Sequence, residues 1–472
     1  MAIAEHSTAL PKNDRKELFG WLMYDWANSV FYTTVIGVLL GPYLTALAQA
    51  DVGENGVVFR LGPLASITAE SLFPLCISIS VFLQLFLLPL LGAVADYTHL
   101  KKRFMAFFCY LGVAASCLLF FITGDSYIWG NVLMIVSNLG FGASIVFYNA
   151  YLVDLTTEDK RDRISSYGFA SGYIGAVIML VLNILLIGYA EQLGMSKSRA
   201  VRISMLAASL WWGVFALITF FLVKSRGAVS KVPPGKHIVT VGFTELFKTF
   251  KALIRLKYTA RFLLCYLFYN DGIQTVINSS SVFLANELFK AHGYEVNQGL
   301  LLGIFLAAQI AGLIGAIVFE RIARFLGSKN TIMVTLAMWA GVVIFAFSLL
   351  RETITISLGG YTLAIDVFAQ AWIMSVWIGL VLGSSQALSR SLYSQMIPPG
   401  KESSFFSFYE ISDKGTSWVG PFIFSIVVAS TGSYRNAILA LIVFFVIGIF
   451  MLLFTNTNKA IEEAQAQPVI GN

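Results

Sequence analysis

Twelve long apolar stretches run through this 472-residue chain, and a hydrophilic bridge near residues 224–258 divides them six and six. A bilayer-spanning helix needs about 20 apolar residues. In lipid every backbone N–H and C=O must find a partner within the structure, so stretches of this length read as helices. The apolar runs fall at about 19–48, 72–95, 104–123, 129–153, 167–190, 203–223, 259–288, 299–320, 330–350, 362–387, 404–430 and 433–455. They use up most of the chain and leave no sizeable soluble domain. Composition agrees: 57% of residues are hydrophobic and 12% charged, where a soluble domain carries about 25% charge. The expected fold is an all-α membrane protein with twelve transmembrane helices in two pseudo-symmetric six-helix bundles. The bundles take residues 19–223 and 259–455. A linker spans 224–258, and tails take 1–18 and 456–472.

The first twenty residues hold Lys12, Arg15 and Lys16 but no apolar core, so no cleavable leader is expected and the first span is itself an anchor. Cys76, Cys109, Cys117 and Cys265 all sit in apolar runs and read as small buried hydrophobes. His6, His99, His237 and His292 all fall in connections. No metal, haem or other cofactor site is therefore expected in the membrane, nor a histidine proton relay. With both ends on one side, 24 of the 32 Lys and Arg flank that side and 7 flank the other. That asymmetry puts both ends in the cytoplasm, in an inner or plasma membrane. It also accounts for the net charge of +6 without nucleic-acid binding. Within the bridge, Phe243, Leu246, Phe247, Phe250, Leu253 and Ile254 recur at helical spacing opposite Lys248, Lys251, Arg255 and Lys257. Such an amphipathic helix suits the inner membrane surface, either as a lipid-anchored hinge or as a plain connector. The string "PPGK" lacks the glycine spacing and Ser/Thr of a phosphate loop.

The halves share a pattern. "LMYDWANSVF" in the first span faces "LFYNDGIQTV" in the seventh, and "LLGAVADYTHLKKR" after the second faces "LIGAIVFERIARFLGSK" after the eighth. "DKRDRISSYGFASGYIG" before the fifth likewise faces "PGKESSFFSFYEISDKG" before the eleventh, so three matches in one order point to duplication. Gly92 allows close helix approach, and Asp96 can accept from a neighbouring helix N-terminus or an arginine. Lys101 and Arg103 complete a candidate gate network with Asp154, Arg161 and Arg163. Glu320 and Arg321 hold the matching place in the second half.

Charges inside a bilayer are costly, and they survive when paired or facing water. Asp25, about two turns into the first span, has Asn28 on the next turn; Asp271 in the seventh precedes Gln274 and Asn278. With Tyr24, Asn149 and Lys414 these are the candidate substrate or proton sites. Asp25 has two readings: a helix-end cap, or a cavity carboxylate paired with Lys414 or an arginine such as Arg163. Lys414, with Glu410 and Asp413 beside it, has a local neutralisation reading too. Arg390 stands at the inner end of the tenth span.

The glycine–acid–basic loop after the second span resembles the loop 2–3 signature of the major facilitator superfamily, with Tyr97 where that pattern has arginine and His99 where it has glycine. "GWLMYDWANSVF", "FYNAYLVDL", "DRISSYGFASGYIG" and "DKGTSWVGP" together resemble the family typified by the fungal vacuolar amino-acid effluxer linked to autophagy, over about residues 18–455. That resemblance implies a major facilitator fold, alternating access, and export or release of small solutes, with neutral amino acids suggested for the fungal members. Its pattern falls on Tyr24, Asp25, Trp26, Asn28, Asn149, Asp154, Arg163, Ser166, Gly168 and Lys414, and departs at Asp413, where glycine is expected. The expectation is a monomeric secondary transporter of a small-molecule substrate, surrounded by membrane lipids and coupled to protons. A lipid or drug exporter of the same fold is the alternative, and a non-transporting receptor or scaffold is the alternative of another class. An intramembrane enzyme would need a nucleophile–base pair or a metal cluster, and the spans offer neither.

Overall fold

The computed structural model describes residues 11–53, 56–61, 65–96, 98, 100–225, 238–284, 293, 298–348, 354–358, 361–414 and 419–467. In the first half, α1 (Arg15–Phe31) and α2 (Leu40–Val52) are joined by a π-helical stretch, Tyr32–Leu39. They are followed by α3 (Ala69–Asp96), α4 (Lys101–Leu118), α5 (Tyr127–Leu155), α6 (Glu158–Gly188) and α7 (Lys197–Leu222). The linker contributes α8 (Ile238–Arg255). The second half contains α9 (Lys257–Phe283), α10 (Gln298–Leu326), α11 (Ser328–Ser348), α12 (Val367–Gln395), α13 (Glu402–Lys414), α14 (Val419–Thr431), α15 (Tyr434–Ala440), α16 (Ile442–Leu453) and α17 (Thr457–Gln465). Two antiparallel hairpins interrupt the helices, β1 (Val57–Leu61) with β2 (Ala65–Thr68) and β3 (Ile354–Leu358) with β4 (Tyr361–Ile365).

Among the described residues ten helical stretches are long and apolar enough to cross a bilayer. The expected seventh and eleventh spans fall outside that set, the seventh for a physical reason and the eleventh because residues 415–418 lie outside the described residues. α9 is 27 residues long but carries Asn270, Asp271, Gln274 and Asn278 along an otherwise apolar sequence. The eleventh is described as two 13-residue pieces, α13 and α14. Asp14 caps α1 by accepting from the N–H groups of Lys16 and Glu17. The tenth span was expected at 362–387, yet its first residues form β4 and α12 runs on to Gln395. Polar residues close α12, and Ser389, Arg390, Ser391 and Ser394 are all buried. An apolar-run reading stops where such inward-facing polar residues begin.

Each half has its own apolar core. One is built around Trp21, Phe31, Phe147 and Trp212, the other around Phe262, Trp339, Tyr393 and Phe445. The Asn13 N–H donates to Leu155 O (2.7 Å), and Gln465 Nε2 donates to Glu158 Oε1 (2.6 Å). Both described ends of the chain therefore meet the turn between α5 and α6, and that side is termed the lower face. The linker helix α8 packs on α3 of the first half and α13 of the second. It presents Phe247, Phe250 and Ile254 outward. Cys76, Cys109 and Cys265 are buried free thiols and Cys117 is a partly buried one.

Candidate functional site

The halves are tied together near the lower face by two layers of polar contacts. In the outer layer Asp96, the last residue of α3, is 4% exposed. It accepts from the N–H groups of Ser403 and Ser404 (2.9 Å each) and from Ser404 Oγ (2.5 Å). A carboxylate here satisfies orphan donors at the start of α13 and meets the positive end of that helix. Gly92 makes the approach possible, because a Cβ there would lie 2.5 Å from the Ser403 carbonyl oxygen. Arg161 Nη1 donates to Ser394 O (3.2 Å), and Ser328 Oγ donates to Asp162 Oδ2 (2.6 Å). Lys101 pairs with Asp154 at 2.9 Å. Glu402, the first residue of α13, accepts from the Gly400 N–H (2.9 Å). Burial raises the Glu402 carboxyl to about 7, against the pull of Lys101 and with the push of Asp154 and Asp96.

The inner layer centres on Asp25 and Arg390. Asp25 lies ten residues into α1, about 15 Å along the axis. Its Oδ2 accepts from Tyr148 Oη (2.7 Å) and from Arg390 Nη1 and Nη2 (3.3 Å each). Asp25 is 7% exposed and Arg390 4%. Asn149 bridges the same seam, because its Nδ2 donates to Glu410 Oε1 (2.8 Å) while its Oδ1 accepts from Arg390 (3.4 Å). Ser165 Oγ donates to Ala387 O (2.8 Å). The Trp21 ring stacks on Tyr148 with centroids 4.4 Å apart and donates its indole N–H to Tyr148 O (2.9 Å). That stacking fixes the phenol hydroxyl against Asp25. Above these layers the halves touch through packing, where Gly312 of α10 faces the Tyr173 ring of α6.

Several expected residues fall elsewhere. Asp25 does pair with an arginine, but it is Arg390 and not Arg163. Arg163 is exposed and lies over the ring of Tyr167, its own neighbour on α6. The Lys414 side chain lies outside the described residues, as do Tyr97, His99 and the other three histidines. Arg103 and Arg321 are exposed. Glu320 pairs within its own helix with Arg324 at 2.5 Å. Tyr24 is buried between Tyr148 and Phe220, inside its own bundle, and Asn28 is buried as well. Asp271 is 2% exposed; its Oδ2 accepts from the Gly420 N–H (2.9 Å) at the start of α14, and its Oδ1 has no hydrogen-bond partner among the described residues. Gln274 is half-buried and Asn278 exposed. A separate polar set joins α9, α12 and α13. Tyr266 and Asn270 donate to Asp413 Oδ1 (2.7 and 3.0 Å), and Gln386 Nε2 donates to Asn270 Oδ1 (2.8 Å). Sequence reasoning missed Arg390, Tyr148, Ser165, Ser403, Ser404 and Glu402 as site residues. For Arg390 the available signal was an ionisable residue one turn past an apolar run, which a longer tenth helix carries inside.

The comparisons with known proteins agree on the fold. The family model described as "Vacuole effluxer Atg22 like" matches residues 13–465. An uncharacterised MFS-type transporter of Bacillus subtilis (strain 168), YxiO, is 30% identical over 97% of this chain and 98% of its own. Autophagy-related protein 22 of Pichia angusta is 24% identical over 98% of this chain and 96% of its own. Among solved structures, the human organic anion transporter MFSD10 superposes with a TM-score of 0.67 at 11% identity, covering 94% of this chain and 100% of that one. The E. coli fucose:proton symporter FucP gives 0.62 at 13% identity, covering 93% and 98%. At these identities the two structures speak for the fold alone.

Proposed function

This chain belongs to the vacuole effluxer Atg22-like family and is a major-facilitator-type transporter of the membrane, not an enzyme; from that premise we propose that it moves small zwitterionic solutes, neutral amino acids among them, by alternating access. The lower face is the cytoplasmic one, on the Lys/Arg asymmetry of the connections. The observation that carries the reading is the buried Asp25–Arg390 pair across the seam. Two charges withdrawn from water are tolerable only together, and stranding one of a buried pair costs about 3–5 kcal/mol. When the lower seam parts, each charge needs a new partner. An amino acid brings both, an ammonium for Asp25 and a carboxylate for the bidentate fork of Arg390. Ordered this way, closing the seam over an empty site restores the ion pair. Closing it over cargo does not; the pair re-forms only after the cargo has left upward, and a proton on Asp25 neutralises that carboxylate while no cation stands beside it. Proton coupling enters at that step, with Asp271 as the second candidate carboxylate.

The outer layer works as the gate. Asp96 holds the start of α13 only while α3 and α13 are in contact, so its three hydrogen bonds form and break with the seam. The test is counterflow of labelled neutral amino acids in liposomes holding the purified full chain. Asp25→Asn is expected to lower counterflow by at least about tenfold, since one lost charge-assisted contact of roughly 1.5–3 kcal/mol is tenfold or more. Normal counterflow by Asp25→Asn would remove the site from the reading.

A further inference from the structure

Arg390 sits in a receptor whose hydrogen-bond acceptors, among the described residues, all belong to the other half of the molecule. A guanidinium carries five N–H donors in a planar fork, and five contacts are made. Nε donates to Ser165 Oγ (2.9 Å). Nη1 donates to Asp25 Oδ2 (3.3 Å) and Asn149 Oδ1 (3.4 Å). Nη2 donates to Asp25 Oδ2 (3.3 Å) and to Ser165 O (2.8 Å). Three rings of the same half enclose the plane, with the guanidinium carbon 4.3 Å from the Phe169 centroid, 5.1 Å from Trp21 and 5.6 Å from Tyr148. At Gly168 a Cβ would collide with Asp25 Oδ2 and stand 2.9 Å from Arg390 Nη2, so the floor of the receptor needs a bare backbone. No acceptor and no ring in this set belongs to α12, which supplies only the guest.

We propose that this pocket is a binding site for free guanidinium-bearing solutes, filled by the chain's own Arg390 while the lower seam is shut and vacated when it parts. The inference rests on the alternating-access reading, because Arg390 must leave before a solute enters. It goes further by naming the chemical class that competes best. An ammonium offers three donors around a tetrahedral centre, so it cannot meet acceptors spread around a plane, and it lacks a flat face for the rings. A guanidinium meets both requirements. Solutes of this class therefore hold the receptor against Arg390 and favour the state in which the seam is open.

The experiment is thermal unfolding of the purified full chain with methylguanidinium at low millimolar concentration, with methylammonium at the same concentration as the ionic control. Arg390→Ala, whose receptor has lost its guest, is expected to gain about 2–4 °C with methylguanidinium and nothing with methylammonium. The wild-type protein, whose receptor is filled, is expected to move with neither. Arg390→Lys keeps a long cationic stem and covers a fold failure of the alanine variant. Its ammonium leaves acceptors unmet, so methylguanidinium is expected to raise its midpoint too. Adding Asp25→Asn to either variant is expected to abolish the response. Equal midpoints in methylguanidinium and methylammonium for the folded Arg390 variants would overturn the proposal, as would a response that survives Asp25→Asn. Binding is read here without any transport step, so such a failure leaves the counterflow result standing and the two readings fail separately.

Discussion

Asp96 and Glu320 occupy matching places in the two halves, each a few residues after a glycine near the lower end of a helix, yet they do different things. Asp96 reaches across the seam and holds the start of α13 through three hydrogen bonds. Glu320 turns back to Arg324 on its own helix, and Arg324 is half exposed. At the second site the cross-seam tie is instead Ser328 Oγ to Asp162, one bond between a hydroxyl and a carboxylate. Duplication copies the helices and their order, but the matching helix pairs differ: α3 meets α13 through three hydrogen bonds and α10–α11 meets α6 through one, while α6 is tied to α12 instead, through Arg161 and Ser165. Of the two matching helix pairs, α10–α6 is the one fastened by fewer hydrogen bonds of its own.

That contrast can be broken or sharpened by measuring how fast a cysteine placed at Ser391, buried behind the seam, reacts with a water-soluble maleimide from the lower face. Asp96→Ala is expected to have the largest effect. It strands helix-start donors and removes a charge-assisted cap, worth about 2–3 kcal/mol together, or roughly 30–100-fold faster labelling. Labelling within twofold of the parent would mean that the α3–α13 edge is not the stronger fastening. Next comes Gly92→Ala. Its methyl would meet the Ser403 carbonyl at 2.5 Å, and overpacking of about 1–2 kcal/mol predicts roughly tenfold faster labelling. Third is pH. Glu402 in the shut seam stays protonated up to about 7, whereas in the open state it titrates closer to the ordinary Glu value. Protonation therefore favours the shut state fully below the ordinary value, and that support is lost as pH rises toward 7 and is absent above it. Labelling is expected to rise over that window by about three- to tenfold, screened by water at the lower face, and to be flat in Glu402→Gln. The smallest effect belongs to Glu320→Gln. A half-exposed pair within one helix contributes about 0.5 kcal/mol, so labelling should stay within roughly twofold. A change as large as that of Asp96→Ala would show the two edges to be equal after all.

The body of the fold was legible because apolar length is a direct demand of the bilayer. Among the described residues ten of the expected spans have a helix long and apolar enough to cross a bilayer, and the family follows from strings such as "GWLMYDWANSVF". That Asp96 and the first-span acid Asp25 need partners was legible for the same reason, since a carboxylate in such a setting must have one. What the sequence did not show was which partner. Asp25 meets Arg390, 365 residues away along the chain, and nothing local to either residue encodes that. Ending the tenth span at 387 hid the pairing further, because it put Arg390 at the span's inner end and not within the longer helix that carries it inside. Asp154 was placed in the gate, and Lys101 with it, but as members of a shared network and not as the 2.9 Å pair they form. Arg163, two residues after Arg161 and so about 200° further round the same helix, was indistinguishable by charge and lies on the exposed side.

The π-helical stretch Tyr32–Leu39 begins two turns above Asp25. Such a stretch holds one residue more per turn than its surroundings, and it can shed that residue to a neighbouring turn with little loss of hydrogen bonding. Each such exchange would rotate α2 against α1 by about 100°. The upper part of the first span could thus swivel like a collar on a shaft, while the carboxylate below stays clamped to its guanidinium.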